Sequence, residues 1–214
     1  MTRGSIRGCA VFAALGSLGT CVGAAADLLA AWHFNGLTAP VGASIAADHG
    51  SGTLDLSAFG GTGLAWQVGT DLNAWPGDVA GEGLGVTGTG ANGKSAVMTV
   101  GTVGYAGLSM SLAVRATATG HVTSVVEALN GESWVPVGGF TLAPSTWSTA
   151  SFDLSSLSFL DEGLATLRVR YEGASSAQGN FRIDNARFEG SAVPAPAACG
   201  IAAVALLLVR RRRQ

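Results

Sequence analysis

Between residues 22 and 198 the chain has no cysteine; Cys9, Cys21 and Cys199 all lie near the ends. That excludes a disulfide staple, a cysteine zinc site and a thiol nucleophile from the interior. Charge is also scarce, at 12% of residues. Arg3, Arg7, Arg210, Arg211, Arg212 and Arg213 make up half of the twelve basic residues. The interior is left with six basic and fourteen acidic residues, a net charge of −8. A domain this acidic offers no phosphate-neutralising patch, which argues against nucleic acid and anionic lipid as ligands. Amphipathic helices are a third absence. Between residues 27 and 190, Gly, Ser and Thr abound and helix formers at 3.6-residue spacing are few. Only three histidines occur, His33, His49 and His121; none are paired at metal-ligand spacing, and there is no G-x-S-x-G elbow.

What is present is alternation. Leu108, Met110, Leu112 and Val114 face one way, and Ser109, Ser111 and Arg115 the other. Leu167, Val169 and Tyr171 alternate with Arg168, Arg170 and Glu172. Both patterns predict half-buried strands. Asn130-Gly131, between two apolar runs, predicts a two-residue hairpin. Further strands are expected at residues 28–34, 52–56, 95–100, 122–129, 148–154 and 181–188. Many short strands joined by glycine-rich turns imply an all-β, antiparallel β-sandwich of jelly-roll type. The sandwich occupies residues 27–190, about 164 residues, large enough for one domain with a real interior.

The two ends carry different signals. Arg3 and Arg7 precede an apolar stretch that closes on Ala24-Ala25-Ala26. This is the layout of a secretory signal peptide over residues 1–26, with cleavage read from Ala24 and Ala26. At the other end, residues 191–214 contain Val193, Pro194, Ala195 and Pro196, then 13 apolar residues from Ala197 to Val209, then four arginines. As a helix, 13 residues span about 20 Å, against about 30 Å of bilayer hydrocarbon. Arg210 to Arg213 act as a cytoplasmic stop under the positive-inside rule. The tail therefore reads as a short membrane anchor.

A Val-Pro-x-Pro motif, a short apolar helix and a terminal arginine cluster together resemble the PEP-CTERM sorting signal. The family's Glu stands where this chain has Ala195. The resemblance implies export, processing by an exosortase-like peptidase near residues 193–196, and residence at the cell surface or in an extracellular polymeric matrix. The interior resembles exported jelly-roll sandwiches that often precede this tail, through "LLAAWHFNG", "GYAGLSMSLAVRATATG", "NGESWVPVGGF", "WSTASFDLSS" and above all "GNFRIDNARFEG". Similar Phe-Arg-x-Asp-Asn endings form the last strand of many carbohydrate-binding-like sandwiches. The resemblance further implies a structural Ca²⁺ near that strand, for which Asp184 and Asn185 supply hard oxygen ligands.

Gly88 to Ser95, "GTGANGKS", fits the phosphate-loop pattern G-x-x-x-x-G-K-[ST]. That motif works when a helix follows and its amino terminus faces the phosphates. Here "AVMTVGTVGYAGL" follows, which is β-branched and glycine-interrupted, so a strand is expected and no nucleotide. Asn92-Gly93 is expected to turn into it. A glycosidase needs paired carboxylates; adjacent Asp161-Glu162 read as a solvated turn. "DLNAWPGD" gathers Asp71, Asn73 and Asp78 in one loop, but Trp75 and Pro76 break any helix–loop–helix calcium pattern. Among five tryptophans, Trp32 and Trp66 read as core, Trp134 and Trp147 as edge covers, and Trp75 as the exposed candidate for a sugar platform. The expectation is a non-enzymatic structural or adhesive surface protein. A carbohydrate-binding module that contacts extracellular polysaccharide is the alternative, and a hydrolase the third reading. A pocket holding His121 or two facing carboxylates would point to that hydrolase.

Overall fold

The computed structural model describes residues 26–38 and 41–193. They form two antiparallel sheets packed face to face. The strands are β1 (Asp27–Trp32), β2 (Ser44–Ala46), β3 (His49–Gly50), β4 (Gly52–Asp55), β5 (Leu64–Val68), β6 (Glu82–Thr87) and β7 (Ser95–Gly101), followed by β8 (Tyr105–Ala116), β9 (Val125–Asn130), β10 (Ser133–Gly139), β11 (Ser148–Asp153), β12 (Leu164–Arg170) and β13 (Asn180–Ala192). One sheet runs β11-β8-β13-β1-β3; the other runs β10-β9-β12-β7-β4-β2. Strand β6 lies against β13 and carries β5 on its far side. Among the described residues no helix is long and apolar enough to cross a membrane. The expected signal segment with Ala24, and the tail with Pro194, Ala195, Pro196 and Arg210 to Arg213, lie outside the described residues.

Alternation puts one face of each sheet inside. Leu108, Met110, Leu112 and Val114 are buried along β8, and Ala165, Leu167 and Val169 along β12. Trp32, Phe34, Phe59, Tyr171, Phe181 and Phe188 fill the space between the sheets. Trp32 meets Phe188 edge-on at 6.3 Å and donates its indole N–H to the Ile45 carbonyl. Gly52 makes room for it; a Cβ there would lie 2.9 Å from the indole. Burying such side chains contributes roughly 1.5–3 kcal/mol each.

Several sequence expectations shift. The first strand stops at Trp32, because Phe34 adopts φ +58° and leaves the sheet. Asp48 accepts the backbone N–H groups of His33 and Phe34 at 2.8 and 3.3 Å, satisfying donors the ladder no longer pairs. The expected strand at 122–129 begins at Val125, since Ser124 N–H turns back to the His121 carbonyl. In the hairpin, Asn130 pairs with Ser133, so the two-residue loop is Gly131-Glu132 with Gly131 at φ +60°. Strands β2, β3, β5 and β6 are not predicted by the pattern, whereas β10 is the second arm of the expected hairpin. Strand β6, "EGLGVT", looks like loop because Gly83 and Gly85 interrupt it. The Gly85 position is packed under Gln67, 2.5 Å from where a Cβ would point.

Candidate functional site

Strand β13 has two neighbours in succession along one edge. Asn180 to Ile183 pair with β6, and Ala186 to Gly190 pair with β1. Asp184 and Asn185 occupy the handover, with Asn185 at φ +45°. The β5–β6 loop fills this gap. Thr70 N–H donates to Asp184 Oδ2 at 2.7 Å and Asn185 N–H to Asp184 Oδ1 at 2.8 Å. Asn185 Nδ2 donates to the Thr70 and Leu72 carbonyls at 2.7 and 2.9 Å, and Asn73 Nδ2 to the Asn185 carbonyl at 2.7 Å. Asp184 has no ion-pair partner among the described residues, and burial pushes its carboxyl up to about 7 against those two N–H groups. The pair thus latches the loop to the sheet. The carboxylate and the two loop carbonyls are engaged by N–H donors; a Ca²⁺ shell needs six to eight free oxygens.

Beyond the latch the same loop crosses the outer face of the first sheet. Trp75, expected to be exposed, is half-buried. Its ring lies 5.8 Å from the Arg187 guanidinium and 6.4 Å from the His49 ring. Asp78, next in the loop, accepts from His49 Nε2 at 3.0 and 3.1 Å. His33 stands edge-on to His49 at 5.7 Å. The sequence separates His33 and His49 by sixteen positions, which hides the pairing. The ladder creates it: Ala31 lies opposite His49, and His33 is two residues further along the same face. Asp71 and Asn73 go elsewhere; Asp71 is exposed and Asn73 serves the latch.

Gly88 to Ser95 links β6 to β7, with a strand and not a helix after it. Four of its N–H groups are engaged by backbone carbonyls: Gly88 donates to Gly179, Ala91 to Gly88, Asn92 to Thr89 and Gly93 to Tyr171. Gly93 has φ +82°. Lys94 Nζ donates to the Phe59 carbonyl at 3.2 Å. This loop is not followed by the helix whose amino terminus would face a phosphate. His121 is fully buried, edge-on to Tyr171 at 5.6 Å and 3.2 Å from Asn92 Oδ1. Burial pushes its imidazole below the ordinary value, against the charge of Glu172. Enclosed in this way, it does not reach a substrate.

The outer face of the second sheet has a different character. Cross-strand register aligns Trp134 with Leu129, and Thr166 with Thr99. The adjacent row aligns Pro136, Glu127, Arg168, Val97 and Asp55. Arg168 lies over the Trp134 ring at 4.1 Å and donates through Nε to Glu127 at 2.7 Å. Arg170 bonds Glu127 at 3.1 Å and Glu172 at 2.6 Å. Burial pushes the Glu127 carboxyl up, but the hydrogen bonds and charges of Arg168 and Arg170 outweigh it and hold it below the usual range. At one end this face opens into a groove of about 650 Å³ lined by Leu129, Asn130, Phe159, Glu162, Leu164 and Thr166 among others. Glu162 is the one carboxylate among those lining residues; Asp161 does not line the groove with it. The signal for this face was in the sequence, in the alternation of "LRVRYE" and of "SWVPV", but nothing there says which aromatic stands by which arginine.

No protein-family model and no curated protein matches the chain. Among solved structures, it is similar to the N-terminal CBM22-1-CBM22-2 tandem domain from Paenibacillus barcinonensis Xyn10C. Identity is 14%, over 83% of this chain and 49% of that one, with a TM-score of 0.46. It is similar to a CBM29-2 mutant complexed with cellulohexaose, at 12% identity over 80% of this chain and 94% of that one, TM-score 0.41. It is similar to the glycoside hydrolase domain of Endo-D from Streptococcus pneumoniae R6, at 18% identity over 58% of this chain and 20% of that one, TM-score 0.34. The chain therefore spans about half the length of the tandem and about a fifth of the hydrolase domain. At these identities and scores the likenesses carry no functional assignment.

Proposed function

We propose that the protein is an exported, surface- or matrix-associated jelly-roll sandwich that acts by binding, with extracellular polysaccharide as its ligand. The observation that carries this reading is the outer face of the second sheet, where Trp134, Arg168 and Glu127 stand beside an open groove. A pyranose ring has an apolar face and a rim of hydroxyls. Aromatic surface accommodates the first, and planar polar groups such as guanidinium, carboxylate and amide accommodate the second. Arg168 uses Nε on Glu127; its two Nη groups form no hydrogen bond among the described residues and serve as donors to sugar hydroxyls. The groove is within the usual size of small-ligand sites. With Glu162 as the carboxylate of its lining, it offers no facing pair for glycoside hydrolysis.

The structural or adhesive role follows from that contact, since a module that holds matrix polysaccharide is adhesive by doing so. Export through residues 1–26, sorting at Val193 to Pro196 by an exosortase-like peptidase, and anchoring in the membrane ahead of Arg210 to Arg213 belong to the same proposal. In support, β13 ends at Ala192, and Val193, the first residue of the motif, is 53% exposed. The test is a thermal melt of the full-length chain against a panel of soluble polysaccharides, because a native-state ligand raises the melting temperature by mass action. Trp134→Ala is expected to weaken the responding polysaccharide about tenfold or more, and Trp75→Ala to leave it unchanged. No response to any polysaccharide, or loss through Trp75→Ala alone, would refute the assignment.

A further inference from the structure

The His33, His49 and Asp78 cluster lies on the other sheet and owes nothing to the sugar-binding reading. One donor atom from each residue lies within 4.8 Å of those of the other two, and all three are half-buried. They come from three separate elements: the end of β1, strand β3, and the β5–β6 loop. We propose that these side chains form a transition-metal site, with Zn²⁺ as its cation, that clamps the β5–β6 loop onto the first sheet.

Donor chemistry selects the metal. Two imidazoles and one carboxylate suit zinc, whereas Ca²⁺ and Mg²⁺ require shells of oxygen. Donors 2.0–2.1 Å from a tetrahedral zinc stand about 3.3 Å apart. His49 Nε2 and Asp78 already lie at 3.0 and 3.1 Å, so one edge of that tetrahedron is formed and His33 has to close the others. Asp48 backs the site. Its Oδ2 is fixed by the His33 and Phe34 N–H groups and lies 3.6 Å from His33 Nδ1. A carboxylate held beside a ligating imidazole fixes the ring's orientation. His33 Nδ1 accepts the Asn35 N–H at 3.0 Å; ligation through Nε2 requires Nδ1 to take up the ring proton and donate it to Asp48 in place of that bond. The Asp184–Asn185 latch and the Asn35 Nδ2 bond to the Val79 carbonyl hold the loop on either side of Asp78, so the carboxylate is delivered by a restrained segment. Three protein ligands leave one position open, and His49, 35% exposed, lies on the side where water reaches it.

The experiment uses the full-length chain, stripped with chelator and titrated with Zn²⁺, then with Co²⁺ as a spectroscopic substitute. Expected are saturable binding of one ion, a rise in melting temperature with Zn²⁺ but not with Mg²⁺, and visible Co²⁺ bands of a tetrahedral nitrogen–oxygen site. Asp78→Asn and His49→Ala should each abolish the rise and the bands. Asp48→Asn, which keeps an oxygen for the backbone donors, should weaken binding roughly 10- to 100-fold. The Co²⁺ spectrum of the unaltered chain reads the ligands even where a variant fails to fold. Binding that survives both substitutions, or thiolate charge-transfer bands from Cys9, Cys21 or Cys199, would overturn the proposal; so would an absence of saturable binding.

Discussion

Asp184 makes the stability of this protein depend on pH in an unusual direction. Its carboxyl is buried at the β6–β1 handover with no ion-pair partner among the described residues, and its folded value of about 7 stands above the ordinary 3.8. The native state therefore holds a proton that the unfolded chain releases. Between those two values stability falls as pH rises, since the native state binds more protons than the unfolded one. The contribution is fully present below about pH 3.8 and has gone once pH passes about 7. Three units at 1.36 kcal/mol per unit give an upper bound of about 4 kcal/mol. Asp184→Asn removes the titration. Its amide keeps one acceptor but turns N–H₂ toward Thr70 or Asn185, costing about 1–3 kcal/mol at every pH. The variant should therefore be weaker than the parent at pH 4 and gain on it by up to about 4 kcal/mol by pH 8. Denaturant unfolding of both proteins across that range measures the difference, and groups that titrate in both cancel. Parallel curves would refute the desolvation argument. A Ca²⁺ ion beside Asp184 would hold it ionised, so added Ca²⁺ would flatten the parent's slope and leave the variant's unchanged.

Two further effects can be measured the same way. Tyr171 is fully buried and its hydroxyl has no partner among the described residues. Tyr171→Phe should leave stability unchanged or raise it by about 1 kcal/mol in a thermal melt, whereas a loss of more than that would mean the hydroxyl is satisfied. Glu127 acts in the opposite sense to Asp184. Its lowered value makes it a stabiliser above the ordinary carboxylate range, lost as pH falls below about 4.5. Glu127→Ala leaves Arg168 and Arg170 without their shared partner and should cost about 1–3 kcal/mol at pH 7, with the acid part of the stability profile flattened.

Period-two alternation on β8 and β12 was sufficient to predict sheets, because one buried face dictates which residues are apolar. The same rule failed at β6, where packing under Gln67 replaces side-chain bulk with glycine. It failed at β2 and β3, which are two or three residues long and carry no period. The strand expected after Gly88 to Ser95 is present, because the residues that follow are strand formers, a local property. The candidate sites were less legible. Trp75 looked exposed because it sits between turn residues, yet its loop folds back and brings it near His49 and Arg187. Trp134 lies on the edge strand β10, as an edge cover would, and the structure adds that Arg168 lies over its ring.

What the sequence determined by itself is what nearest neighbours along the chain decide: strand alternation, turns, the absence of amphipathic helices, and the terminal apolar segments with their flanking arginines. What only the tertiary structure decided is which distant residues meet. His33, His49 and Asp78 converge because β1 and β3 pair antiparallel and the β5–β6 loop is pinned across them. Glu127, Arg168 and Trp134 converge because three strands share one register. Cross-strand pairing is set by the cooperative burial of a whole face, and no single segment of sequence contains it.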